Sequence, residues 1–263
     1  MISTDRDSFG SLLLFPTPLG REGENRSIPE YVIQRIHETR HFAVENLRNA
    51  VSFLQWIEHP VPEYELHFYE LNKNTPELTL SEYLQIMLTG NDLGVLTDAG
   101  CPGIADPGSR LTALSHRYGI PVEPFTGPSS PLLALMAFGI GGQQFAFHGY
   151  LPSKTGQRES KLRMLEKRSA EEQSTQLFME TPFRNEDMFR SAMNVLKATT
   201  MFSVGAALTT GKEYIRTYST GEWKQKKTPE LNGLPAIFGI RAEAEMTAAQ
   251  MKKRTPVKKK FGR

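Results

Sequence analysis

The segment Thr97-Asp98-Ala99-Gly100-Cys101-Pro102-Gly103-Ile104-Ala105-Asp106-Pro107-Gly108 constrains this chain more than any other. An apolar run, Leu93 to Leu96, leads into it, and a helical pattern of Leu111, Leu114, Ser115 and Tyr118 leads out. Two prolines fix φ and remove donors, while three glycines open positive φ, so the segment is neither helix nor ladder. Ordinary connections need only about four to six residues. A stiff loop about twice that length, leaving the carboxyl end of a strand, is a ligand loop more often than an elaborate turn.

Around it the chain alternates strand and helix. Leu12 to Phe15 reads as a buried strand stopped by Pro16-Thr17-Pro18-Leu19-Gly20. Ser27-Ile28-Pro29-Glu30 reads as a capping box opening a helix with Val32, Ile33 and Ile36 inward. His41 to Glu45 is a short strand, and Asn46 to Ile57 a helix burying Val51, Leu54 and Ile57. Glu65 to Leu71 alternates as a strand does, and Thr79-Leu80-Ser81-Glu82 is a second capping box. After the central loop come a helix ending at Gly119 and a strand from Pro121 to Phe125. The alternation predicts a parallel sheet with crossover helices.

Thr126-Gly127-Pro128-Ser129-Ser130-Pro131 is the next break, with Ser129 or Ser130 as N-cap of an apolar helix from Leu132 to Phe138. Serines at a helix amino terminus can hold a carboxylate or phosphate, although capping alone explains them equally well. A fresh series follows, so the domains are taken as 1–126 and 127–245, with a basic tail at 246–263. In the second series, the loop Gly149 to Arg158 sets glycine beside Lys154 and Arg158, chemistry suited to phosphate. Glu180 and Arg184 flank Thr181-Pro182-Phe183 at a strand end, as cleft residues or as a structural ion pair, with the cleft favoured by position. Tyr214 to Thr220 alternates like an edge strand, and Leu234 to Ile240 is the last strand.

Composition narrows the class. No stretch of the 263 residues approaches the ~18 uninterrupted apolar residues a membrane span needs. A lone Cys101 excludes an internal disulfide and a cysteine zinc cluster, and the six histidines lack ligand spacing, so no metal is expected. The expectation is a cytoplasmic protein without membrane contact. Net charge is +2, but seven of the 31 basic residues lie from Met251 onward with no acid among them. That leaves 24 basic against 29 acidic residues in the body, a distribution that fits either an arm for a polyanion or a solubilising tail. There is no phosphate-loop lysine signature, no nucleophile elbow and no His-Glu-x-x-His pair.

Five motifs in order carry a resemblance. They are Pro16 to Gly20, Thr97 to Gly108, Gly127-Pro128-Ser129-Ser130, Glu180-Thr181-Pro182-Phe183-Arg184, and Leu208-Thr209-Thr210-Gly211-Lys212-Glu213. Together they resemble the tetrapyrrole methylase superfamily over about Leu12 to Ile240. The segment His148 to Arg158 is similar to the Gly-Phe-Leu-Pro-x-Lys-x-Gly-x-Arg segment of the branch that methylates small-subunit ribosomal RNA. The resemblance implies two α/β domains with a cofactor cleft between them, S-adenosylmethionine as cofactor, and a homodimer. By position it assigns Leu19, Asp98, Gly100, Cys101 and Ile104 to the cofactor, Ser129 and Ser130 to its aminoacyl end, and Met179, Ala207 and Ala236 to its adenosine.

The expected reaction is methyl transfer to a ribose 2′-hydroxyl of small-subunit ribosomal RNA. Glu45 and Glu180 are the candidate bases, and Arg48, Lys154, Arg158 and Arg184 the candidate phosphate contacts. Two departures stand out. The family's first turn continues Asn-Leu-x-Asp where this chain has Arg21-Glu22-Gly23-Glu24, and its Glu-Asp-Thr-Arg is here Glu45-Asn46-Leu47-Arg48. They keep two alternatives open: methylation of a small tetrapyrrole precursor, and a catalytically silent cofactor-binding protein of the ribosome.

Overall fold

The computed structural model describes residues 9–20 and 27–243, and the basic tail and Arg21 to Glu24 lie outside them. The chain forms two compact units, the first holding residues up to Leu133 together with Ala207–Glu213, the second Ala134–Ala206 and the residues from Tyr214 onward.

In the first unit, β1 (Leu12–Phe15), β2 (His41–Val44), β3 (His67–Glu70), β4 (Leu93–Leu96) and β5 (Val122–Pro124) build one sheet in the order β3-β2-β4-β1-β5. Every pairing is parallel, so all five strands end at the same edge. Side chains alternate between its faces. Leu13, Phe15, Phe42, Val44 and Leu96 pack on Val32 and Ile36 of α1 (Glu30–Glu38) and on Ala50, Phe53 and Leu54 of α2 (Leu47–Trp56). Leu12, Ala43, Leu93 and Val95 pack oppositely, on Leu80, Leu84 and Met87 of α3 (Glu77–Leu88) and on Leu111 and Leu114 of α4 (Gly108–Tyr118). Gly94 permits this closeness. A Cβ there would stand 2.9 Å from the Phe15 ring and 3.0 Å from the Phe42 ring.

Both expected capping boxes are absent. Pro29 and Pro76 occupy the cap positions of α1 and α3 without a side-chain hydrogen bond, and Thr79 lies inside α3. Proline supplies a preset φ and has no N–H to satisfy, which replaces the cap's work at a helix start. Leu54 of α2 and Ile57 just past it are buried as expected, and Phe53 joins them, while Val51 is only half-buried. Gly119 closes α4 at φ 71°, the left-handed geometry that glycine takes without strain.

The chain enters the second unit within α5 (Ser130–Phe138). Its sheet joins β6 (Phe145–Tyr150), β7 (Thr175–Glu180), β8 (Met201–Ala206), β9 (Tyr214–Ser219) and β10 (Ala236–Arg241) in the order β6-β7-β10-β8-β9. Only β6–β7 is parallel; the other three pairings are antiparallel, so the all-parallel arrangement of the first sheet is not repeated. The reason lies in the last third of the chain. No long helix separates β8, β9 and β10, only the short α8 (Thr220–Trp223), and a parallel return needs a crossover of about a dozen residues or more. As expected, β9 is an edge strand.

One face of this sheet packs on α6 (Thr155–Glu172) and α7 (Asn185–Val195) through Leu162, Leu165, Met188 and Phe189. Phe178, Phe238 and Phe202 stack across β7, β10 and β8 with centroids 5.7 Å apart. Trp223 closes the core, its Nε1–H donating to the Phe202 carbonyl at 2.7 Å. Phe238 has no exposed surface, and cavity-forming truncation of such a ring costs about 3–5 kcal/mol. Phe238→Ala is expected to lower unfolding stability by that amount, read from the shift of a urea melt at constant m-value.

Candidate functional site

The first unit's parallel strands deliver their following loops to one sheet edge. The loop after β1 and the loop after β4 are tied by a two-bond antiparallel bridge. Thr17 N–H donates to Gly100 O at 2.9 Å, and Gly100 N–H to Thr17 O at 3.0 Å. Thr17 Oγ1 donates to Thr97 O at 3.1 Å and Thr97 Oγ1 to Gly100 O at 3.3 Å, so these buried hydroxyls lock the bridge. Gly100 sits at φ 86°, and a Cβ on it would lie 3.3 Å from Leu19 Cδ2 and 3.6 Å from Pro128 O.

Two further loops join. The Cys101 thiol points to Pro128 O at 3.4 Å, and a Cβ on Gly127 would lie 2.2 Å from Pro16 Cγ. A Cβ on Gly20 would lie 2.4 Å from Thr210 Cγ2, which brings Ala207–Glu213 against the first loop. Ala105, Ala207 and Thr209 hold positive φ of 62°, 48° and 67°. Such backbone costs about 1–3 kcal/mol per residue and persists only where surroundings over-determine it. Here Thr210 N–H and Oγ1 both donate to Ala207 O, and Thr209 N–H donates to Glu213 Oε2 at 2.8 Å.

The edge carries opposite electrostatic signs. At the amino terminus of α5, Ser129 is buried and its Oγ has no hydrogen-bond partner. Ser130 opens the helix, whose free amides favour an anion. Across the β4 loop stand Glu45, Asp98 and Asp106. Asp98 N–H reaches Glu45 Oε2 at 3.4 Å, and Asp98 Oδ1 accepts the Asn49 amide at 2.8 Å. Burial pushes the Glu45 carboxyl above its ordinary range; the Asp98 N–H opposes this, and the charges of Asp98 and Asp106 add to it. Burial also raises Asp106, against the N–H groups of Gly108, Gly103 and Ile104, and burial and Asp106 raise Cys101. Ile104 is exposed at the loop's crest.

The second unit has its own edge of this kind. Ala236, at the start of β10, pairs with Glu180 at the end of β7 and with Ala206 at the end of β8. Met179 is half-buried and pairs with Ile237. Glu180 Oε1 accepts Thr181 N–H at 2.7 Å and two bonds from Arg184, at 2.9 Å from Nε and 2.5 Å from Nη2.

No protein-family model matches the chain. Curated relatives named ribosomal RNA small subunit methyltransferase I do. The one from Streptococcus pyogenes is 28% identical over 183 residues, 70% of this chain and 60% of the relative. That from Vibrio cholerae is 29% identical over 185 residues, again 70% and 60%, and that from Mesorhizobium japonicum 37% identical over 128 residues, 49% and 42%. The chain thus spans about 60% of the length of the first two relatives. Among solved structures, the methyltransferase CobJ matches with a TM-score of 0.58 at 16% identity, over 88% of this chain and 94% of CobJ. Uroporphyrin-III C-methyl transferase from Thermus thermophilus, complexed with S-adenosyl homocysteine, matches with a TM-score of 0.53 at 14% identity, over 88% and 97%. The chain has the tetrapyrrole methylase fold.

Of the residues assigned through the tetrapyrrole methylase resemblance, Leu19, Asp98, Gly100, Cys101, Ile104, Ser129, Ser130 and Ala207 fall on the first unit's loop edge. Met179 and Ala236 fall on the second unit's strand edge. Asn46, where the superfamily motif has an acid, is the N-cap of α2 and accepts Asn49 N–H at 3.2 Å, work an aspartate does equally well. Leu47 and Arg48 are exposed beside it.

Three assignments change. Glu180 has no exposed side-chain surface and forms a structural ion pair with Arg184, rather than serving as a free base with a free phosphate contact. Arg158 is buried in α6, donating to Ser191 Oγ at 2.9 Å, Ser153 O at 2.9 Å and Thr155 Oγ1 at 3.3 Å, because α6 begins at Thr155 and draws it inward. Lys154, just before α6, remains exposed. Asp106 also stands on this loop edge, and the pair of aspartates in a glycine-proline loop is its signal in the sequence. Among the described residues no group of His, Cys, Asp and Glu could hold a metal.

Two consequences are measurable. A raised carboxyl stabilises the fold below its unfolded pKa and loses that contribution as pH rises through the folded one. Glu45→Gln is therefore expected to be more stable than the parent near neutral pH and equal to it below the ordinary carboxylate range, by urea melts at both. Arg184→Ala strands the buried Glu180 charge. The loss of stability is expected near or below the lower end of the ~3–5 kcal/mol typical of broken buried pairs, since Arg184 itself reaches water.

Proposed function

We propose that this chain is an S-adenosylmethionine-dependent methyltransferase acting on a ribose 2′-hydroxyl of small-subunit ribosomal RNA. The observation that carries the reading is the pairing, on one loop edge, of an unpartnered buried Ser129 hydroxyl at a helix amino terminus with the carboxylates of Glu45, Asp98 and Asp106. A zwitterionic donor carries a carboxylate and two cationic centres, and this edge offers donors for the first and negative field for the others. The glycine-rich backbone at Gly100 lets a flat or bulky group lie directly against the main chain. Met179, Ala207 and Ala236 are the proposed adenosine contacts.

When bound, S-adenosylmethionine supplies a methyl group on a sulfonium sulfur, which departs as a neutral thioether. The protein's contribution is to hold the acceptor hydroxyl in line with that methyl, positioning worth up to ~7–11 kcal/mol in well-oriented systems. Glu45 takes the hydroxyl proton as the new carbon–oxygen bond forms. Its raised proton affinity suits this role, because an ordinary carboxylate is a weaker base. Exposed Arg48 and Lys154 hold RNA phosphates, and the basic residues from Met251 onward add to the attraction. The names of the curated relatives support the RNA substrate.

No helix among the described residues is long and apolar enough to cross a membrane, which suits a proposed cytoplasmic enzyme of ribosomal RNA. The homodimer belongs to the same proposal and is read by light scattering. Calorimetry is expected to show one S-adenosylmethionine bound per chain, and labelled methyl to enter small ribosomal subunits at a ribose. Glu45→Gln is expected to lower transfer about 10²-fold or more. Absence of cofactor binding, or methyl appearing only on a tetrapyrrole precursor, would overturn the reading.

A further inference from the structure

The cations of the second unit fall into two groups. Along α6, Arg163 pairs with Glu159, Lys167 with Glu171 and Arg168 with Glu172, each across one helical turn, so that face neutralises itself. On α7, Arg190 pairs with Asp187. At the β9 end of the sheet the pattern stops. Arg216 of β9 and Lys224 and Lys226, just past α8, are exposed, and among the described residues none of the three is in an ion pair. Lys227, next in the chain, is bound to Glu230 at 2.7 Å. Glu222 is engaged in the cap of α8, its Oε2 accepting Ser219 N–H at 2.8 Å and Ser219 Oγ at 2.7 Å, and it feels Lys226 only at longer range.

Aromatic rings hold two of these cations in place. Tyr214, Arg216 and Tyr218 alternate along β9 and so share a face. The Arg216 guanidinium lies 5.7 Å from the Tyr214 ring centroid, and the Lys226 ammonium 4.3 Å from that of Tyr218. The Tyr218 ring is fixed in turn, edge-on to the buried Trp223 at 4.9 Å. Thr220 N–H donates to Thr200 O at 2.8 Å and Gly221 N–H to Ala198 O at 2.9 Å, so the turn bearing Lys224 and Lys226 is tied to the body of the unit. A ring leaves an ammonium its charge, whereas a carboxylate partner would neutralise it. The result is ordered, uncompensated positive charge at an edge strand.

Lysine and arginine on an edge strand also discourage pairing with another sheet. That duty needs charge only on the strand itself. It gives no reason for Lys224 and Lys226 beyond the strand, or for the ring that holds Lys226. Ordered cations without carboxylates match a run of phosphates, each carrying negative charge. We propose that the β9 edge, through Arg216, Lys224 and Lys226, is a docking surface for the phosphate backbone of RNA. This rests on the reading of the chain as an RNA methyltransferase, and it extends the proposed contacts beyond Arg48, Lys154 and the tail.

The test compares two triple variants that remove equal charge. Arg216→Gln/Lys224→Gln/Lys226→Gln strips the β9 edge, and Arg163→Gln/Lys167→Gln/Arg168→Gln strips α6. Filter binding of labelled small-subunit ribosomal RNA is followed over about 50–200 mM salt. Each phosphate contact contributes about 0.7–0.9 to the slope of log affinity against log salt. The β9 variant is therefore expected to lose about 2–3 from the parent's slope and at least about tenfold in affinity, and the α6 variant less than about one from the slope. S-adenosylmethionine affinity is expected to be unchanged in both. A β9 variant that binds RNA like the parent, or equal losses in both variants, would overturn the inference and leave the RNA methyltransferase reading intact. So would a changed oligomer mass by light scattering in the β9 variant alone, because the edge would then be a contact between copies. A parent chain that binds no RNA overturns the inference and the RNA reading together. If RNA binds through this edge but receives no methyl, the methyltransferase reading fails and the docking surface stands.

Discussion

The bridge between Thr17 and Gly100 is the interaction on which the first unit's loop edge depends. It is a two-residue antiparallel contact made by loops whose parent strands, β1 and β4, run parallel. Chains leaving parallel strands at one edge have no partner of their own, so their backbone groups must find bonds among themselves or leave them to solvent. Thr17 and Thr97 hydroxyls add two more bonds within the same knot. Once this knot forms, Leu19 and Pro128 O both close on the side of Gly100 where a Cβ would stand. Glycine at position 100 is then favoured twice, for φ 86° and for that close approach.

Charge follows from the same geometry. Strand β2 pairs beside β4, and Glu45 N–H continues that pairing with a bond to Leu96 O at 3.3 Å. Glu45 is thereby placed next to Asp98 by sheet register, not by any sequence proximity. Burial is the main cause that raises both Glu45 and Asp106, opposed by the Asp98 N–H at the first and by the amides of Gly108, Gly103 and Ile104 at the second. The Ser129 hydroxyl, buried without a partner at the start of α5, is the complementary pole.

In the second unit, ionic groups expected at a binding surface serve as braces instead. Glu180 and Arg184 rigidify the turn after β7, where Pro182 O also accepts Gly233 N–H at 3.1 Å. Arg158 ties α6 to α7 through Ser191. Arginine suits this work because its planar, five-donor fork satisfies several acceptors at once. Sequence spacing does not distinguish an arginine that braces a helix from one that waits for phosphate. What decides is where the helix begins, and α6 begins early enough to turn Arg158 inward.

The sequence by itself determined the elements of the first unit, the stiffness of the loops after β1 and β4, and the helix stop at Gly119. These are local properties, set by proline's fixed φ, glycine's freedom and the period of apolar side chains. The order of its motifs also marked the fold. Tertiary structure alone decided the largely antiparallel pairing of the second sheet, the inward turn of Arg158 and the placing of Glu45 beside Asp98. Those depend on groups far apart in the chain, such as Arg158 and Ser191 or Glu45 and Asp98, which helix packing and strand register bring together. Electrostatic and hydrogen-bond partnerships of that range leave no local trace, because each residue's own preferences are satisfied equally well by other neighbours.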